Sequence, residues 1–219
     1  MRIEERCRGW NAPAAARASD WLEGATLTGA FGVVAGTAPD GDRAERDSLL
    51  LAESLAATLL VQQATKVLVR RPRPYCYAEG GGPPGRDRHR SFFSGHSALA
   101  FAGASAAGVL VASHDDRDAA HATTWGLGTF AATTIAGLRV KSGRHFPLDA
   151  IVGAAVGVAF GTGIPALHGA DAPRTVDIAA GAGGLALGIA LLAVWHFPDQ
   201  ALVAGLHVWP TPFGIAGTF

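Results

Sequence analysis

The sequence predicts an all-α fold: a bundle of six helices, transmembrane in character, with its functional site at one end. Three observations carry this. Six apolar segments are separated by short polar turns, four of them near the ~20 residues a bilayer core requires. Charged residues make up only 16% of the chain and mean hydropathy is +0.23, both unusual for a soluble enzyme. The chain shows no alternating strand pattern, no glycine-rich nucleotide fingerprint and no repeat. Glycine and alanine dominate the apolar segments, and small residues let membrane helices approach closely. The alternative is a soluble helical protein with Ala-rich buried helices.

In order, residues 1–23 are charged and mixed, with Trp10 and Trp21 suited to a membrane interface or to packing on a core. The first residues, Met-Arg-Ile-Glu-Glu-Arg, lack the apolar run of a secretory signal. Residues 24–39 form the first uncharged segment, only 16 long, and residues 40–47 a charged turn. Residues 48–69 are rich in Leu, Ala and Val and close on Lys66. The stretch 70–90 opens Arg-Arg-Pro-Arg-Pro and contains Gly-Gly-Gly-Pro-Pro-Gly, which no helix can continue. Segment three covers 97–113 with His96 at its head, and residues 114–118 are an acidic turn. Residues 119–138 and 150–170 are uncharged and flank the polar crossing 139–149. A turn at 171–177, a final apolar run at 178–197 and a tail at 198–219 carrying Trp209 and Phe213 complete the chain. One domain, 1–219, is expected, with its core at 48–170.

Formal net charge is zero, from 18 basic and 18 acidic residues, which argues against a general nucleic-acid binder. The cations are nevertheless concentrated: ten of the 18 lie within 66–90 or 139–144. If the chain alternates sides, these two stretches fall after segments two and four, on the same face. The turns at 40–47, 114–118 and 171–177 fall on the other. Such convergence points to an anionic ligand. Two cysteines, Cys7 and Cys76, are too few for a disulfide framework and lack zinc spacing. Parity puts both on the site side, where an oxidising compartment would permit a bridge between them.

The polar crossing reads Arg139-Val-Lys-Ser-Gly-Arg-His145-Phe-Pro-Leu-Asp149. With a helix starting near Phe146-Pro147, Asp149 falls on the same face as His145. An aspartate there can accept the Nδ1 proton and leave Nε2 as a nucleophile or base. Arg139, Lys141 and Arg144 offer donors suited to a phosphate. Ser94 and Gly95 place backbone N–H groups at a helix N-terminus, a natural anion site, with His96 beside them as a proton donor. A metal pair is the competing reading of His145 and Asp149, but no further ligands with suitable spacing accompany it.

Taken together, Lys66-x6-Arg73-Pro74, Ser94-Gly95-His96 and Arg139-x5-His145-x3-Asp149 resemble the three-part signature of the type 2 phosphatidic acid phosphatase family. That family shares its site with vanadium haloperoxidases and bacterial acid phosphatases. Two positions depart from the pattern: Phe93 where the family usually has proline, and Leu138 where it usually has serine. The resemblance implies that His145 attacks phosphorus and becomes phosphohistidine, oriented by Asp149. It implies that His96 protonates the leaving alkoxide and later activates water. Lys66, Arg73 and Arg139, with the Ser94 hydroxyl and the Gly95 N–H, would hold the phosphoryl oxygens, and no cofactor or metal is called for. The implied substrate is a lipid phosphate or diphosphate, hydrolysed in a bacterial inner membrane with the site facing outward, whereas the positive-inside count of the same cations puts that face in the cytoplasm. A haloperoxidase, or a membrane protein that binds phosphate without hydrolysis, are the alternatives. Head group, lipid chain and oligomeric state are not written in the sequence.

Overall fold

The computed structural model describes residues 12–77 and 85–194, and a short hairpin pairing His207–Thr211 with Gly214–Thr218. Six helices form the body: α1 Pro13–Thr37, α2 Gly41–Val69, α3 Gly95–Ala112, α4 Asp118–Lys141, α5 Pro147–Leu167 and α6 Thr175–Val194. The all-helical bundle expected from the sequence is therefore present. The tail hairpin was not anticipated, because its glycine- and proline-containing strands carry no alternating pattern. Cys7, Trp10 and Phe213 lie outside the described residues, and with them the Cys7–Cys76 bridge.

Helix boundaries follow local chemistry more than the placement of charge. Pro13 opens α1, where a missing N–H costs nothing, so this helix begins well before the uncharged segment does. Asp40 caps α2 by accepting the Arg43 N–H at 2.7 Å, which draws the charged turn at 41–47 into the helix. The same helix stops at Arg70, which takes a left-handed φ of 50° and donates its N–H to the Lys66 carbonyl. Ser94 caps α3, accepting from Ser97 N at 3.3 Å. Pro147 begins α5, as the crossing motif predicts, and Asp149 caps it by accepting the Phe146 N–H at 3.0 Å.

Helix α3 is the axis, packed against α1, α2, α4 and α5 and buried over most of its length. Its inward residues are small: Ala98, Ala102 and Ala106 are wholly buried. Against it α5 presents Gly153, Gly157 and Gly161, one per turn. A methyl group on these glycines would come within 2.5, 2.2 and 2.5 Å of the carbonyls of Ser94, Ala98 and Ala102. Backbone-to-backbone contact of this kind needs glycine. It also fixes register: Ser94 N donates to the Asp149 carbonyl at 2.9 Å, and Ser97 Oγ to the Ala150 carbonyl at 2.7 Å. The two helix N-termini that carry the second and third motifs are thereby locked side by side. Gly184 of α6 packs on α4 similarly, a methyl there reaching 2.2 Å from the Gly126 carbonyl.

Among the described residues three helices, α3, α5 and α6, are long and apolar enough to cross a membrane. Four near-span segments are expected from the sequence, 48–69 and 119–138 among them. The first carries two Gln with Glu53 and Lys66, and the second five Thr, three Gly and His121, and lack of charge is not the same as apolarity. Large apolar side chains point outward from α5 and α6, among them Ile151, Leu167, Ile178, Leu187 and Ile189, while Gly and Ala fill the interior. That inside-out distribution fits a membrane protein.

Candidate active site

The loop after α2 and the crossing between α4 and α5 meet at one end of the bundle. Tyr75 N donates to the Gly143 carbonyl at 3.2 Å, and Arg73 Nη1 to the Arg144 carbonyl at 3.3 Å. The opposite end holds the other three turns. There Arg43 bonds Ser113 Oγ at 2.5 Å, Arg46 the His168 carbonyl at 2.9 Å and Arg174 the Asp116 carboxylate at 2.8 Å.

His145 is at the centre of the first end, with only 1% of its side chain exposed. Its Nδ1 lies 2.7 Å from the Ser91 carbonyl, which can only accept, so Nδ1 carries the proton. Asp149 Oδ2 is 3.9 Å from the same nitrogen, too far for a hydrogen bond. The direct Asp149–His145 bond expected from the sequence is thus replaced by a relay through Ser91. The Ser91 hydroxyl donates to Asp149 Oδ2 at 2.5 Å, while the Ser91 carbonyl takes the imidazole proton. Asp149 is saturated by Ser91, by the Phe146 N–H and by Arg71 Nη1 at 2.7 Å on its other oxygen. The carboxylate is drawn off because it also caps α5, and a cap must lie at the helix start instead of over the imidazole.

The relay leaves Nε2 with its lone pair, and among the described residues nothing bonds it. Burial holds the imidazole well below its ordinary range, and the cations Arg73, Arg139 and Lys66 push it the same way. The neutral, nucleophilic form is the one favoured.

The remaining expected residues surround this centre. A methyl on Gly95 would come within 3.6 Å of Lys66 Nζ, so the lysine lies over the start of α3. Arg73 is almost wholly buried and bonds the Asp87 carbonyl at 2.8 Å and carboxylate at 2.9 Å. Arg139, also buried, bonds Ser19 Oγ at 3.1 Å and Asp20 Oδ1 at 2.8 Å. His96 Nε2 meets the same Asp20 oxygen at 2.8 Å. Lys141 does not join the group; it donates to the Leu192 carbonyl near the end of α6. Arg144 lies over the Tyr75 ring, 5.7 Å from its centroid.

A family-level comparison matches the chain to the PAP2 superfamily over residues 47–172, more than half its length. The chain belongs to that superfamily. No curated protein and no solved structure matches it. Membership brings phosphatase-type hydrolase chemistry to the geometry of this PAP2 site: a free imidazole nitrogen, a second histidine, and cations gathered from three parts of the chain.

Sequence reasoning missed Arg71, Ser91, Asp20 and Glu23. Arg71 stacks on the Phe146 ring at 4.2 Å and holds Asp149, yet in the Arg-Arg-Pro-Arg-Pro run nothing distinguishes it from its neighbours. Ser91 acts partly through its carbonyl, which every residue type possesses. Asp20 and Glu23 arrive from α1, outside the matched residues, and only the three-dimensional packing brings them to the site.

Proposed function

We propose that this PAP2 protein is a lipid-phosphate phosphohydrolase working through a phosphohistidine at His145. The observation that carries the reading is the state of His145: Nδ1 is tied to the Ser91 carbonyl, and Nε2 is left unbonded among the cations. In the first step Nε2 attacks phosphorus, the phosphorus–oxygen ester bond breaks, and the leaving oxygen takes a proton from His96. In the second, neutral His96 removes a proton from water. The resulting hydroxide attacks phosphorus, the phosphorus–nitrogen bond breaks, and inorganic phosphate departs. Lys66, Arg73 and Arg139, with the Ser94 hydroxyl and the Gly95 N–H, hold the phosphoryl oxygens through both steps. Fixed cations suit a loose phosphoryl transition state, which needs positioning and charge stabilisation more than covalent help. The apolar outward faces of α5 and α6 support a substrate presented from a bilayer. We place the site end outward from a bacterial inner membrane, following the family resemblance.

Purified protein in detergent is expected to release inorganic phosphate from phosphatidic acid, to keep that activity in excess chelator, and to be inhibited by vanadate. Acid-labile, base-stable radiolabel should be trapped on the protein after a rapid quench and be missing from His145→Ala. Turnover that is lost on chelation and restored by zinc or magnesium, or label on another residue, would sink the proposal.

A further inference from the structure

Helix α1 reaches the site from outside the residues that match the superfamily. Asp20 and Glu23, one turn apart on it, both face His96: Asp20 Oδ1 at 2.8 Å and Glu23 Oε2 at 3.2 Å from Nε2. The Asp20 oxygen is shared. It also accepts from Arg139 Nη1 at 2.8 Å, so one carboxylate oxygen joins the leaving-group acid of the second motif to a phosphate donor of the third. A single anionic oxygen between a guanidinium and an imidazole is chemically equivalent to a phosphoryl oxygen bound by the same two groups.

The two partners differ in mobility. Arg139 is buried, with 8% of its side chain exposed, and a buried guanidinium requires an anion at all times. The Asp20 side chain is 58% exposed, so its carboxylate can turn into water with little desolvation to overcome. Glu23 is largely buried and touches His96 but not Arg139 in the hydrogen bonds present. Exchange at Asp20 would therefore leave His96 with one carboxylate neighbour and hand Arg139 to the incoming anion.

Resting on the phosphatase reading above, we propose that Asp20 is a positioning residue of the phosphate site. Its carboxylate holds Arg139 and His96 in register and is exchanged for a phosphoryl oxygen when substrate binds. Because the substrate must displace it, Asp20 weakens phosphate binding while keeping the donors aligned. Product phosphate is weakened by the same competition, which favours its release.

The test is binding of inorganic phosphate and of orthovanadate to the detergent-solubilised protein by calorimetry, which needs no turnover. Asp20→Asn keeps the shape and removes the charge, and should bind both anions about tenfold more tightly. Glu23→Gln is compared well above pH 7, because burial pushes the Glu23 carboxyl up to about 7; there it removes a nearby charge without freeing Arg139 and should tighten binding much less. In turnover assays Asp20→Asn should lower KM without raising kcat, whereas a merely structural role would leave KM alone. Unchanged or weaker anion binding in Asp20→Asn overturns the proposal. So does equal tightening in both variants, which would be a general charge effect, or anion binding by neither wild type nor variant. Tight binding in Asp20→Asn without any phosphatase activity would instead count against the hydrolytic function and leave the exchange standing.

Discussion

Two buried histidines sit beside buried aspartates at opposite ends of the bundle, and they are wired differently. At the far end His121 Nδ1 meets Asp177 Oδ1 directly at 2.9 Å, and Nε2 meets the Asp115 carbonyl at 2.6 Å. Both ring nitrogens face acceptors and both side chains are fully buried, so neither nitrogen is open to a substrate. Asp177 also takes the Arg174 N–H at 2.7 Å, so the pair ties the acidic turn before α4 to the start of α6. At the site end His145 has one nitrogen bonded and one left over, and its aspartate is held a relay away. A histidine built to hold a structure uses both nitrogens. One built to react spends only the first.

The largest effect expected from this contrast comes from deleting each ring. His145→Ala should lower kcat by 10³-fold or more, on the order of 4 kcal/mol in the barrier, with thermal stability close to wild type. His121→Ala should do the reverse. It leaves the buried Asp177 Oδ1 without its partner, at a cost of about 1–3 kcal/mol, and the variant should melt at lower temperature with kcat unchanged at a permissive temperature. Thermal inactivation in detergent beside steady-state kinetics reads both. Loss of stability without loss of turnover in the His145 variant would erase the distinction.

The aspartates give a narrower contrast. Every polar atom around Asp149 donates to it, so an asparagine NH2 must face one of the donors Arg71, Ser91 or Phe146 N. Asp149→Asn should cost about 10²-fold in kcat, comparable with loss of one donor to a developing charge, and some stability through the cap. Asp177→Asn should cost stability alone, about 1–3 kcal/mol. Equal kinetic losses in the two variants would show that buried carboxylates anywhere in the bundle matter equally.

Much of this was legible in the sequence, and the reasons are local. His145 and Asp149 lie four apart across a Pro147 helix start, and Ser94-Gly95-His96 precedes an apolar run, so caps and cations declare themselves by spacing. Parity of six segments was enough to bring Arg73 and Arg139 to one end. What stayed hidden depends on register. The sequence offers no means of seeing that Gly153, Gly157 and Gly161 seat on the carbonyls of Ser94, Ala98 and Ala102, or that Ser91 therefore falls between Asp149 and His145. The charged, mixed run before residue 24 suits either a membrane interface or packing on a core, and nothing in it points to the site. From Pro13 onward it is the first part of α1, and it brings Asp20 to Arg139 across more than a hundred residues of chain.

Ser91 permits the finest division of the site pair, and the smallest expected effect. Ser91→Ala removes the hydroxyl that donates to Asp149 and leaves the carbonyl that accepts from His145 Nδ1. If the carbonyl sets the tautomer, the ring keeps its orientation and its free Nε2, and kcat should fall only severalfold, roughly 1 kcal/mol or less. Asp149 would lose one charge-assisted hydrogen bond, worth about 1.5–3 kcal/mol, so the variant should be noticeably less stable. The rank order of kcat, wild type above Ser91→Ala above Asp149→Asn, is the measurement that matters. Should Ser91→Ala instead fall as far as Asp149→Asn, the carboxylate acts on His145 through the serine hydroxyl. The relay would then be a connected electrostatic path, and a direct Asp–His contact such as His121–Asp177 would differ from it in length alone.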